Sequence, residues 1–396
     1  MQLKAFLLAG MASNIAAQSL TEALAGESSI SNLTTYLNLY PDFTAQLGGM
    51  SNITLLAPNN EAFTRLLNSS QAAAIQANDS STIEALLSYH VLNGTYANFS
   101  SMPQFLHTSL QNPTFANLTG GQAVEAITSG NGSNATTTFY SGLLQNSTTV
   151  MSTVNFTGGV IHVIDSFLTI PSNISSTAIE LGLSSAVGAL IANDLASTLD
   201  TLPDITCFIP DNEAFQNIAS TLATASPEDL TRILQYHAVN GSVGYSGGLQ
   251  NGSTLTTLAG LDVTIQVSNG SIFVNSARVV TPDVLVANGV IHVIDGVLNP
   301  DNAVVAPNVT ASTQTPAFSG ASSGTEAPFT SGVPTPTSSI NTEGPTSAAS
   351  AAATGGGAAG GAASESSSAM AGMPMKTGAA GAAALFGGAA FLALQV

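Results

Sequence analysis

The sequence predicts an α+β fold class, with two tandem domains of related structure followed by a disordered stalk. Three observations predict it. Three sequence blocks recur in the same order, helix-start signals precede strand runs in both copies, and the composition changes near Val305.

The first block, Thr54-Leu-Leu-Ala-Pro-Asn-Asn-Glu-Ala-Phe63, returns as Thr206-Cys-Phe-Ile-Pro-Asp-Asn-Glu-Ala-Phe215. An apolar β-rich run ends at Pro58 or Pro210. Asn59 or Asp211 then stands where a helix N-cap is needed, with Glu61 or Glu213 in the first turn, favourable against the helix dipole. A second helix start follows at Ser226-Pro227-Glu228-Asp229, with Ser as cap and Pro at the first helical position. In the first copy Ser81-Thr82-Ile83-Glu84 takes that role. Both helices run into the second block, Tyr89-His90-Val-Leu-Asn-Gly94 and Tyr236-His237-Ala-Val-Asn-Gly241.

The third block, Gly-Val-Ile-His-Val-Ile-Asp, is identical at 159–165 and 289–295. Its near-continuous β-branched run reads as a strand covered on both faces. Before it in the second copy, Asn269-Gly270 separates two alternating runs and reads as a hairpin turn. The first copy is longer in this region, and its Gly/Asn-rich stretch Thr128 to Thr138 reads as an exposed loop. Cys207 is the single cysteine, so no intrachain disulfide can form, and each domain must stand on its own core. Cys207 occupies the place of Leu55 in the other copy and reads as a small buried hydrophobe.

Residues 1–17 carry Lys4, a short apolar run and small residues to Ala17, which reads as a secretory signal peptide. From about Val305 the chain is rich in Ser, Thr, Pro, Ala and Gly, a composition that fits an O-glycosylated stalk spanning 305–367. Residues 368–396 supply a short spacer and an uncharged Ala/Gly/Leu/Phe tail. With small residues before them, they read as a GPI-attachment propeptide, with Ser367 as the ω site. A secreted chain makes its Asn-x-Ser/Thr sequons candidate glycosylation sites: Asn32, Asn52, Asn68, Asn78, Asn93, Asn98, Asn117, Asn131, Asn134, Asn146, Asn155, Asn173, Asn240, Asn251, Asn269 and Asn308. Twelve of these precede Thr177 and three fall between there and Pro300, so the first copy is expected to be the more heavily coated.

The three blocks resemble the signature segments of the fasciclin (FAS1) domain family, once over residues 19–171 and again over 174–300. With the terminal segments, the whole resembles a fungal GPI-anchored fasciclin-like surface glycoprotein. The resemblance implies a wedge of β-strands with packed helices in each domain. It also implies an extracellular setting on the plasma membrane or in the cell wall, and a role in adhesion or in matrix interaction. Its partners would be extracellular matrix, wall polysaccharide or another surface protein, with the membrane reached through the GPI lipid. In the family the Tyr-His segment is discussed as a receptor contact, which nominates Tyr89, His90, Tyr236 and His237 as an adhesion segment.

Charge excludes one class of partner. The chain has 5 Lys+Arg against 23 Asp+Glu, and between the terminal segments the only cations are Arg65, Arg232 and Arg278. Gripping a nucleic acid requires several cations on one face. Four of the five histidines repeat, His90 with His237 and His162 with His292, but no His-x-x-x-His pair or Cys/His cluster accompanies them. They read as core histidines held by hydrogen bonds. Gly244-Tyr-Ser-Gly-Gly248 and Gly320 to Gly324 lack the strand-then-helix context of a nucleophile elbow. Asp165 and Asp295 fall at equivalent strand ends of separate domains and not as a glycosidase pair. No enzyme and no cofactor is expected. Two rival readings stand beside adhesion: a module holding a lipid or small apolar ligand in a cleft, and a wall-polysaccharide hydrolase, which needs an acidic pair facing one cleft.

Overall fold

The computed structural model describes residues 18–67, 79–130, 132–151, 153–303, 306–311 and 313–337. The segment 1–17 read as a signal peptide, the expected ω site Ser367 and the tail 368–396 lie outside the described residues.

In the first domain, helices Leu20–Ala25, Ser31–Leu37 and Pro41–Gly49 precede β1 (Ile53–Pro58), and helices Asn60–Leu67 and Ser80–Tyr89 lead to β2 (Val91–Asn93). Strands β3 (Gln104–His107), β4 (Ala123–Ser129), β5 (Thr136–Tyr140), β6 (Asn146–Thr148), β7 (Val154–Phe156) and β8 (Gly159–Ile164) follow. The second domain repeats the plan. Helices Ile174–Glu180, Ser184–Ala192 and Ala196–Thr201 precede β9 (Ile205–Pro210), and helices Asn212–Asn217, Ala219–Leu222 and Pro227–Gln235 lead to β10 (Ala238–Val239). It closes with β11 (Thr254–Thr256), β12 (Asp262–Ser268), β13 (Ser271–Val274), β14 (Ala277–Val286) and β15 (Gly289–Ile294).

The first and third blocks pair directly. β1 runs parallel to β8 and β9 parallel to β15, in the same register: Ile53 faces Gly159 as Ile205 faces Gly289. All six residues of β1, β9 and β15 are buried. The period-2 alternation divides them between two cores. Ile53, Leu55 and Ala57 meet the N-terminal helices, whereas Leu56 meets Leu92, Val124 and Phe139 of the strand layer. Ile205, Cys207 and Ile209 repeat the first set and Phe208 the second. Cys207 is thus a core side chain 2% exposed, and burial, reinforced by Asp200, pushes its thiol up to about 12. The thiol is unreactive in the folded state.

The domains differ where their lengths differ. In the first, β2-β1-β8-β7 and β3-β4-β5-β6 form separate sheets. In the second, the ten-residue β14 pairs with both β13 and β15 and fuses the strands into one seven-stranded sheet. Register shifts between Val279 and Val284 bend β14 from one set to the other. The Asn269-Gly270 turn is present, with φ of 50° and 75° as a type I′ turn requires. Thr128 to Thr138, expected as a loop, is a hairpin in which β4 and β5 reach in from both ends and pair Thr128 with Thr137. β-branched threonines extend the ladder until Gly130 turns it. The helix before the first Tyr-His pair begins two residues earlier than expected, with Asp79 as cap accepting from the Ser81 amide.

The Ser/Thr/Pro-rich segment contains no helix or strand in its described part. Up to Thr337, however, it lies along the second domain. Its few large apolar groups decide this: Phe318, Ala321, Phe329 and Val333 pack against the second-domain core, and Phe329 meets Phe215 edge-on. The Thr337 amide and hydroxyl both donate to the Glu180 carboxylate, at 2.9 and 2.8 Å.

A Cβ on Gly289 would lie 1.8 Å from the Ile205 carbonyl oxygen, and one on Gly159 equally close to that of Ile53. Backbone, not a flexible side chain, would have to move. We therefore expect Gly289→Ala to destabilise the second domain by about 3 kcal/mol, the upper end of overpacking costs. Chemical denaturation followed by domain-resolved hydrogen exchange measures this.

Candidate functional site

Most polar residues of the repeated blocks tie one piece of backbone to another, and the following ones do so alike in both domains. The Thr54 and Thr206 hydroxyls donate to the carbonyls of Gly94 and Ser242, both at 2.7 Å, and accept from the amides of Tyr96 and Gly244, both at 2.8 Å. Asn60 Nδ2 donates to the Ser28 carbonyl while its Oδ1 accepts from the Asn32 amide; Asn212 does the same with Gly182 and Ser185. Asp165 and Asp295 accept from the amides of Thr148 and Arg278, at 2.8 and 2.7 Å. They serve two separate strand ends and make no catalytic pair.

The Tyr-His segments behave in the same way. His90 Nδ1 donates to the Leu86 carbonyl at 2.7 Å and its Nε2 accepts from the Leu168 amide at 2.9 Å. His237 repeats this with Ile233 and Leu298 at the same distances. Accepting an amide proton at Nε2 requires a neutral ring, and burial drives both imidazoles down to about 4 against the opposing pull of the carbonyls. The Tyr89 and Tyr236 hydroxyls donate to the carbonyls of Ala123 and Asp262. These four residues, nominated as an adhesion segment, are at most 6% exposed. The structure corrects that nomination: they fasten a helix to the strand layer and present no surface. His162 and His292 are likewise core residues, bonded through Nε2 to the carbonyls of Tyr96 and Gly244.

What sequence reasoning missed is the face where the two domains meet. The Asn117 amide donates to the Ala287 carbonyl and its Nδ2 to the Thr201 carbonyl, at 2.7 and 2.9 Å. The Thr119 amide and hydroxyl grip the two oxygens of Asp204, and Gln122 Nε2 donates to the Val286 carbonyl. Phe105 of β3 stacks on Tyr245 with centroids 3.9 Å apart and rings 6° from parallel. Beside it on β4, Glu125 is 1% exposed and neither carboxyl oxygen has a hydrogen-bond partner. Loss of solvation, then the nearby Asp283 of the second domain, push Glu125 up to about 9, so it is protonated at neutral pH.

Asp283 stands at φ 59° in the bend of β14. It accepts from the Ser246 amide and hydroxyl, while its own amide donates to His292 Nδ1. Ser246, centre of the first Gly-x-Ser-x-Gly match, is thereby a loop clasp and not a nucleophile. One signal was visible in sequence: Glu125 interrupts the apolar run Ala123 to Ile127.

A cleft of about 740 Å³ adjoins this face, with Ile83, Leu86, Phe115 and Ile170 among its apolar lining and Asn117, Asn173 and Asn288 among its polar lining. Of the thirteen sequon asparagines among the described residues, eleven are exposed and only Asn117 and Asn173 are half-buried. Asn68, Asn78 and Asn131 lie outside the described residues. Among the described residues, no group of three or more His, Cys, Asp or Glu is placed to hold a metal ion. No helix there is long and apolar enough to cross a membrane.

The chain matches the Fasciclin domain family over residues 28–171 and again over 181–300. It belongs to the fasciclin family. A fasciclin-like arabinogalactan protein of Arthroderma benhamiae is 36% identical over 334 residues, covering 84% of this chain and 78% of its own. A second, from Cercospora beticola, is 32% identical over 308 residues, covering 76% and 82%. A solved FAS1 domain pair from the insect cell adhesion molecule Fasciclin I matches 67% of this chain and 94% of its own, at 19% identity and a TM-score of 0.33. These relatives indicate an extracellular or cell-surface protein built of non-enzymatic modules.

The buried groups of this fasciclin pair set opposed pH dependences. His90 and His237 have folded values lowered from 6.5 to about 4. The unfolded chain therefore binds more protons below pH 6.5, and stability falls toward pH 4 by about 1.4 kcal/mol per pH unit for each ring. Glu125 is raised from 4.5 to about 9, so the folded state holds the extra proton and stability falls as pH rises across that window. Below pH 6.5 the two rings, joined by His162, which burial lowers in the same direction, outweigh one carboxyl, and above it the carboxyl dominates, which puts the maximum near neutral pH. We expect Glu125→Gln to flatten the decline from pH 6.5 to 9 and to steepen the acid limb, where the carboxyl no longer opposes the rings, as read from denaturant midpoints across pH.

Proposed function

We propose that this chain is a non-enzymatic cell-surface glycoprotein that presents its two fasciclin domains for adhesion or for interaction with the wall or matrix. In this reading the signal peptide is removed, Ser367 receives a GPI lipid, and the Ser/Thr/Pro-rich segment beyond Thr337 sets the distance from the membrane. One observation carries the reading: the repeated histidines, tyrosines and strand-end aspartates that could suggest chemistry are spent on backbone ties, while eleven sequon asparagines stand exposed among the described residues. What the molecule offers a partner is therefore its glycan-bearing outer surface. Tandem modules on many anchored copies convert weak contacts into avidity.

The test has two steps. Phosphatidylinositol-specific phospholipase C should release the protein from intact producing cells, and the freed protein should cluster beads coated with matrix protein or wall glycan. Absence of release, with a glucanase digest also failing to free the protein, rejects the anchor. Release without clustering on either bead type rejects adhesion.

A further inference from the structure

The cleft between the domains lies within the range of about 300–1,000 Å³ that holds small ligands. The only half-buried sequon asparagines among the described residues, Asn117 and Asn173, both line it. They differ at the atom that glycosylation uses. Asn117 Nδ2 is engaged with the Thr201 carbonyl of the second domain. Asn173 caps helix Ile174–Glu180 through Oδ1, which accepts from the Ser176 amide at 2.9 Å. That bond fixes the amide group and leaves Nδ2 without a partner.

We infer that the N-glycan carried by Asn173 folds back into this cleft, its proximal N-acetylglucosamine acting as a strut between the two fasciclin domains. The inference rests on the reading that the chain enters the secretory pathway. There, transfer forms the bond from Nδ2 to the anomeric carbon, breaks that carbon's bond to a lipid-pyrophosphate oligosaccharide donor and releases one Nδ2 proton. The lining suits such a sugar. A pyranose ring offers an apolar C–H face to Phe115, Ile83 and Ile170 of the first domain. Its hydroxyls and acetamido N–H are donors, and the half-buried carboxylate of Asp200 in the second domain, which accepts the Ser175 amide on Oδ1, lines the same cleft as their acceptor. The attachment point lies two residues beyond Pro171, between the two matched domains. A sugar seated there touches both sides of the junction.

Ser175→Ala deletes the sequon while leaving Asn173 and its cap in place, and the Ser175 hydroxyl makes no hydrogen bond that would be lost. Asn173→Ser is the second variant, since serine also caps helices well. Full-length protein secreted from a eukaryotic host would be compared by glycopeptide mapping and by hydrogen exchange of segments 80–89 and 113–118. We expect Asn173 to be occupied. Both variants should exchange roughly tenfold faster in these segments, the scale of uncovering about 60 Å² of apolar wall. Endoglycosidase H trimming to one sugar should preserve the protection, and Asn251→Gln, at an exposed sequon, should not alter it. Asn173 unoccupied while other sequons are filled overturns the inference, as does unchanged exchange in both variants. A small apolar molecule retained by the protein in native mass spectrometry overturns it in favour of a free ligand. Absence of glycan at every sequon overturns the secretory reading itself.

Discussion

Each domain is organised by one pair of parallel strands buried on both faces. β1 with β8, and β9 with β15, leave no side of the pair to water, so a helix layer must cover one face and a second set of strands the other. Much of the rest follows from that burial. Glycine is required at the start of each closing strand because the neighbouring carbonyl occupies the space of a side chain. Any polar group near the pair must find a partner within the protein, because an unpaired one costs about 1–3 kcal/mol. The Thr, Asn, Tyr, His and Asp of the repeated blocks are those partners. Their recurrence at matching places reflects a common demand of the backbone.

That demand explains why the domain pattern was legible in sequence. β-branched runs, Pro58 and Pro210 as strand ends, the Asn59, Asp211 and Ser226 caps, and the Asn269-Gly270 turn are local signals, and each describes its own neighbourhood. The mistakes were local as well. Thr128 to Thr138 has loop composition, yet its threonines extend a ladder whose partner strand lies in the same hairpin. Asp79 outcompetes Ser81 as a cap because its carboxylate reaches the Ser81 amide and the Thr82 hydroxyl together.

The interdomain face was not legible for a different reason. Phe105 with Tyr245, Glu125 with Asp283, and Thr119 with Asp204 join segments 85 to 158 positions apart, and each residue alone looks ordinary. Only the Glu125 interruption of an apolar strand carried a signal, and a lone carboxylate does not disclose its partner. The same holds for Phe318 and Phe329, whose composition context indicates a spacer although their rings pack on the second-domain core. Composition reports the average tendency of a segment, and two aromatic rings are enough to override it locally.

The absence of any intrachain disulfide gives the interdomain contacts added weight. A chain with one cysteine, itself buried in the core, cannot cross-link its domains covalently. Their relative placement rests on Leu144 of the first domain buried in the second-domain core, a ring stack, a few backbone hydrogen bonds, one Asp204 clasp and a carboxyl that must stay protonated. Such a seam mixes a few apolar contacts with polar ones, the kind that permits domain motion unless something else braces it. For a protein presented outside the cell, a sugar attached at the junction is an available brace that requires no cysteine. The position of Asn173 beside the seam, with its Nδ2 free where that of Asn117 is engaged and the other described sequons stand out in solvent, is what a brace of that kind requires.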